Sequence, residues 1–142
     1  MANFRSLGGR IGSPIVPILL WENPSPTTEY TGGTPLSGTD IANYDWVIIE
    51  FKYSRSDNNI RYIIKEINKQ STSTTGWYSS GQVLGFAGSN SADGYANTYV
   101  RSVSVNAGGI SFSPAKYFPD NTVNNGGMIP LKVWGVVGDF LV

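Results

Sequence analysis

The sequence contains no cysteine and no histidine, and only 14% of its 142 residues are charged. Without cysteine there is no disulfide framework and no thiol nucleophile, so stability has to come from packing or from assembly. Without histidine the usual general base near neutral pH is missing, and the two absences together remove every His/Cys zinc arrangement. Ten basic and ten acidic residues cancel, so no long-range positive field gathers phosphates, and nucleic acid is not an expected partner. Long apolar runs are also missing. The longest candidate, Ile15–Trp21, is interrupted by Pro17 and preceded by Pro14. It is too short to span a bilayer and lacks the flanks of a signal peptide, so neither membrane insertion nor export by a signal peptide is expected.

What is present is turn chemistry between short apolar segments. Gly, Ser, Thr and Asn fill the gaps, and aromatic residues make up 13% of the chain. This is the profile of an all-β protein. Residues 1–17, with Gly8, Gly9, Gly12, Pro14 and Pro17, read as an extended arm or linker. Residues 18–142 are expected to form one antiparallel β-sandwich of jelly-roll-like type, long enough to bury roughly 68–70% of the surface of the unfolded chain.

Within that span ILLW (18–21) reads as a first strand, and Leu36–Ile41 as a segment that pairs briefly. WVIIEFKY (46–53) is the clearest strand, with Val47, Ile49, Phe51 and Tyr53 on one face and Trp46 and Ile48 on the other. IRYIIKEI (60–67) also fits helical spacing, but four isoleucines and a tyrosine favour its return as a strand. A further strand is expected around Gln82–Phe86. YANTYVRSVSV (95–105) alternates, with Tyr95, Asn97, Tyr99, Arg101, Val103 and Val105 on one face. NAGG closes a hairpin into ISFS (110–113). PAKYFPDNTVNNGG (114–127) reads as a long loop. From Met128 a last strand runs through Val137, placing Met128, Pro130, Lys132 and Trp134 on one face and Ile129, Leu131 and Val133 on the other. Pro130 cannot donate to a ladder, so that strand should be open on one side there. Six to eight strands are expected, and no helix.

The carboxylates sit mostly beside Gly, Asn, Ser or Pro, where Asp caps turns. A glycosidase-like pair is therefore a lesser alternative, no phosphate loop is present, and no cofactor is expected. SDNN (56–59), SADG (91–94) and PDNTVNNGG (119–127) offer oxygen ligands for calcium, but turn formation accounts for them. The aromatic residues are more informative. Trp77 and Tyr78 follow a polar loop and suit core packing and ligand stacking equally, while Tyr117 lies within a loop. With Asn90 and Asp93 they make up the candidate ligand-binding set. Ile15, Ile18, Trp46, Ile48 and Trp134 are the candidate oligomer contacts, because an arm that buries little and strands apolar on both faces call for a neighbour. Arg101 is better explained by an inter-strand or inter-subunit contact than by catalysis.

Three stretches together resemble the C-terminal domains of bacteriophage and prophage tail-fibre, baseplate and minor structural proteins. They are LLWENPSPT after a Gly/Pro-containing arm, YVRSVSVNAGGISFS, and NNGGMIPLKVWGV, a likeness that covers about residues 18–137. The resemblance implies a virion protein made in the host cytoplasm, an all-β homotrimer that contacts other tail proteins, and binding of host-surface glycans. It transfers no catalytic residue. A purely structural spacer is the alternative reading.

Overall fold

The computed structural model describes residues 15–67, 69, 82–86, 98–118 and 120–138, and these form two antiparallel sheets packed on each other. In chain order the described elements are β1 (Ile18–Glu22), β2 (Gly33–Ser37), α1 (Gly38–Ile41), β3 (Trp46–Ser54), β4 (Ile60–Glu66), β5 (Gln82–Phe86), β6 (Thr98–Asn106), β7 (Gly109–Phe112), β8 (Lys116–Phe118), β9 (Thr122–Val123) and β10 (Gly127–Val136). The first sheet has the order β1-β10-β3-β4. In the second, β6 pairs with β7, β8 and β5, while β2 adds to β7 and β9 to β8. The fold is an antiparallel β-sandwich in which β1 lies beside β10 and β2 beside β7, so the chain changes sheet after its first strand, while β3–β4 and β6–β7 are hairpins within one sheet.

The strand expected at 60–67 is present as β4, and its side chains alternate between exposed and half-buried along its length. That alternation is what a pleated edge strand produces, and it settles the helix alternative. Three expectations need correction. The segment 36–41 is only partly strand: its second half is one helical turn, α1, in which the backbone N–H and Oγ of Ser37 both donate to Asp40 Oδ2 at 2.8 Å. Asp40 thereby satisfies the N–H at the helix start. The stretch 114–127 is not simply a loop, because it holds β8 and β9, and these bring the described strands to ten. β7 and β8 are nearly one strand along β6, since Phe112 lies opposite Val103 and Lys116 opposite Val100, with Pro114 at the interruption.

The third correction concerns β10. Its register against β3 shifts between Pro130 and Lys132, so strict alternation fails there. Pro130 lies opposite Phe51 and Val133 opposite Ile49, both on the core side, whereas Lys132 and Trp134 lie opposite Glu50 and Ile48 on the outer side. An extra residue at a bulge moves everything beyond it to the other face. Pro130 is indeed open on one side: the β1 ladder ends at Glu22 and Lys132, and Asn23 takes over by donating Nδ2 to the Pro130 carbonyl at 2.9 Å and its N–H to the Leu131 carbonyl at 2.8 Å.

Between the sheets lie Val47, Ile49, Phe51, Met128 and Val133 from the first and Leu36, Val103, Val105, Ile110 and Phe112 from the second, with Ile41 and Ile67 joining the cluster beside Tyr44 and Asp45. Each fully buried aliphatic or phenyl group contributes about 1.5–3 kcal/mol. Phe112 is the aromatic hub, with ring centroids of Phe51, Tyr30 and Trp21 at 5.9, 5.8 and 6.2 Å. Trp21 thus packs, half-buried, against the core.

Candidate functional site

Arg101 stands on the core face of β6 with no exposed surface. Its Nε donates to the Met128 carbonyl at 2.8 Å, its Nη1 to Ser113 at 2.5 Å, and its Nη2 to Tyr30 at 2.8 Å and Gly127 at 3.1 Å. The guanidinium also lies 5.2 Å from the Tyr30 ring centroid. Burial pulls its pKa down to about 10, opposed by the charge interaction with Tyr30, and burial pushes the Tyr30 phenol up. The cation persists at neutral pH, and its donors are taken by carbonyls of both sheets and of the 30s loop. Of the inter-strand and inter-subunit roles expected of Arg101, the hydrogen bonds show the first: it clamps strands and loop together within one chain.

Next to this clamp, at one end of the sandwich, three tyrosines form a row. Tyr53 closes the core face of β3, Tyr99 precedes Arg101 by two residues on β6, and Tyr117 lies opposite Tyr99 on β8. Their ring centroids are 4.9 and 5.3 Å apart, in edge and tilted contact. Tyr99 packs on the backbone of Gly127, where an added Cβ would come within 2.1 Å of the ring. At the Tyr53 end the Arg61 guanidinium sits 5.5 Å from the ring centroid and donates to Asp57 Oδ2 at 2.8 Å. That bond, followed by the Asn59 N–H, holds the Asp57 carboxyl below the usual carboxylate range. The result is a half-buried aromatic strip ending in an ordered charged pair. Strips of this kind offer ring faces to the C–H surface of a sugar and hydrogen-bonding groups to its hydroxyls.

Of the candidate ligand-binding residues, Tyr117 belongs to this row, while Trp77, Tyr78, Asn90 and Asp93 lie outside the described residues. Sequence reasoning did not bring Tyr53 and Arg61 to Tyr117. The signal was the end position of Tyr53 on a core face, but only packing of the sheets joins it to Tyr99. The calcium reading finds no support at 56–59, where Asp57 is engaged by Arg61 and Asn59, nor at 124–125. There Asn124 Oδ1 accepts from the Gly126 N–H and Asn125 Oδ1 from the Ala115 N–H. The turn at 91–94 is outside the described residues. Among the described residues no three His, Cys, Asp or Glu side chains gather as a metal site, and no helix is long and apolar enough to cross a membrane.

The candidate oligomer contacts divide. Ile48 and Trp134 share a row across the outer face of the first sheet, with Leu19 and Ile64 at its two ends. Trp46 is half-buried and precedes this row on β3, on the same face. Ile15 precedes β1, and Ile18 lies opposite Gly135; both are exposed and outside the row. Comparison with known proteins adds no relative: no family model matches the chain, and no curated protein or solved structure matches it.

Proposed function

We propose that this chain is a non-enzymatic attachment domain of a phage-type virion tail, in the fibre or baseplate, and that it binds host-surface polysaccharide. The observation that carries this reading is the row Tyr53–Tyr99–Tyr117 with Arg61 and Asp57 at its end. The three resembling stretches support the virion setting.

A glycan array followed by titration with intact host polysaccharide tests it. Tyr117→Ala removes one ring of the strip and is expected to weaken binding about tenfold, the equivalent of one aromatic contact of about 1–1.5 kcal/mol. Binding that is unchanged in Tyr117→Ala, or absent for the wild type at millimolar sugar, sinks the reading. Trp77→Ala reports separately on that candidate position. No oligosaccharide should be released from the polysaccharide; release would favour a carboxylate-dependent hydrolase instead. The second reading, a spacer that contacts only virion proteins, is favoured by the apolar row on the first sheet's outer face.

A further inference from the structure

The outer face of the first sheet carries two rows that are complementary to themselves, and we propose that two copies of this chain pair there about a two-fold axis parallel to the strands. The pairing goes beyond the sugar-binding reading and does not depend on it.

The rows follow from the register. Leu19 lies opposite Trp134, Trp134 opposite Ile48, and Ile48 opposite Ile64, so one apolar row crosses the whole of the sheet. The adjacent row reads Glu22, Lys132, Glu50 and Tyr62 in the same strand order. Both lie away from the core, which takes Val47, Ile49, Phe51 and Val133 from the alternate positions. In a single copy Leu19 remains 42% exposed, Ile64 51% and Tyr62 62%. Ile48 and Trp134 between these ends are half-buried, so the row is most open at its two edges; apolar residues lined up across a whole sheet mark a contact surface rather than scattered surface residues.

The charged row identifies the occupant. An axis along the strands, placed between β10 and β3, reverses the strand order while keeping each row level with itself. β10 of one copy then covers β3 of the other, and β1 covers β4. Lys132 of each copy meets Glu50 of the other, so unlike charges meet twice. Glu22 meets Tyr62, whose hydroxyl can donate to the carboxylate. In the apolar row Trp134 meets Ile48, and Leu19 meets Ile64. An in-plane axis across the strands gains no such pairs: along the charged row it brings Lys132 onto Lys132 and Glu50 onto Glu50, and midway between the rows it sets Lys132 over Trp134 and Glu50 over Ile48. A three-fold arrangement cannot place this face against itself, since only a two-fold axis makes an isologous contact. Strands aligned within about 30° are also the common geometry of two sheets packed face to face.

Sedimentation equilibrium of the full chain at low salt tests the pairing. The wild type is expected to be dimeric. Lys132→Glu and Glu50→Lys should each weaken association at least tenfold, because each variant places like charges at both contacts. Each change also sets like charges side by side within one chain, where Lys132 already lies beside Glu50 and pairs with Glu22 at 3.9 Å. Mixing the two variants separates these effects: the like charges within each chain stay, but every contact between the variants now joins unlike charges. A mixed dimer that forms while each variant alone remains monomeric is the expected result.

A wild type that is monomeric or trimeric overturns the pairing, as does a charge variant that associates as tightly as the wild type or a mixture that does not recover. Circular dichroism checks folding. If a charge variant does not fold, Ile64→Lys on the exposed edge strand decides. It leaves the charged row intact and sets a cation opposite Leu19, so loss of the dimer supports the pairing and undiminished association overturns it. Sugar binding is measured separately, so failure of one reading leaves the other standing.

Discussion

A buried cation needs partners, and at Arg101 the partners are carbonyls rather than a carboxylate. The main-chain oxygens of Tyr30, Ser113, Gly127 and Met128 converge on one guanidinium from β10, from the end of β7 and from the 30s loop. A planar fork with five donors can reach all of them, whereas a lysine ammonium cannot span the same set. Each carbonyl left buried without a donor costs about 1–3 kcal/mol. Arg101→Met, which keeps the stem but removes the donors, is therefore expected to lower stability by about 3–5 kcal/mol, and Arg101→Lys by less. Urea unfolding measures both, and a loss under about 1 kcal/mol for Arg101→Met would mean the clamp is not what joins the sheets. The residue pattern showed Arg101 on the same face as Val103 and Val105. It did not show that this face was fully closed, because the closing groups come from residues 30 and 127–128, far along the chain.

Hairpins and bulges at the element scale differ in how much of them local sequence can carry. The β6–β7 reversal was legible as Asn-Ala-Gly-Gly, and Asn106 Oδ1 accepts the Gly108 N–H at 2.7 Å within it. Gly109 has φ +134, and a Cβ added there would come within 2.3 Å of the Leu36 carbonyl oxygen on β2. Gly109→Ala should therefore destabilise by about 1–3 kcal/mol through both strain and overpacking. Thermal unfolding should show a clear fall in Tm, and an unchanged Tm would mean that β2 can move away at no cost. The shift in β10 was not legible. Pro130 announced a missing donor, but which face the strand presents afterwards depends on its pairing with β3, some 80 residues earlier in the chain. Two strands inside 114–127 were missed for a related reason. Lys116–Phe118 is three residues long and is held as a strand by β6 rather than by its own composition.

At the scale of the molecule the two sheets share one apolar cluster, and the Arg101 clamp ties them together at one end. Neither sheet can bury its inner face without the other, so unfolding is expected to be a single cooperative step. Tryptophan fluorescence of a Trp77→Phe variant, whose remaining tryptophans Trp21, Trp46 and Trp134 all lie on the first sheet, should follow the same urea curve as far-ultraviolet circular dichroism. Separate midpoints would show that one sheet persists without the other. What remains outside this closed core is distributed unevenly. One end of the sandwich carries the tyrosine row, and the outer face of the first sheet carries the paired apolar and charged rows. The sequence expected a neighbour from Trp46 and Ile48 opposite Val47 and Ile49, but it could not assemble Leu19, Trp134, Ile48 and Ile64 into one line.

By itself the sequence determined the all-β class, most of the strands and the inward face of β3 and β6. Alternation is a property of the pleated backbone and is written every second residue. It also excluded thiol and imidazole chemistry through residues that are simply not there. Only the tertiary structure decided which rows exist across strands, where β10 changes face, and that Tyr53, Arg61, Tyr99 and Tyr117 meet. Those outcomes depend on register between segments as distant as β1 and β10. Register is set by how the whole apolar surface is buried at once rather than by any local run of residues.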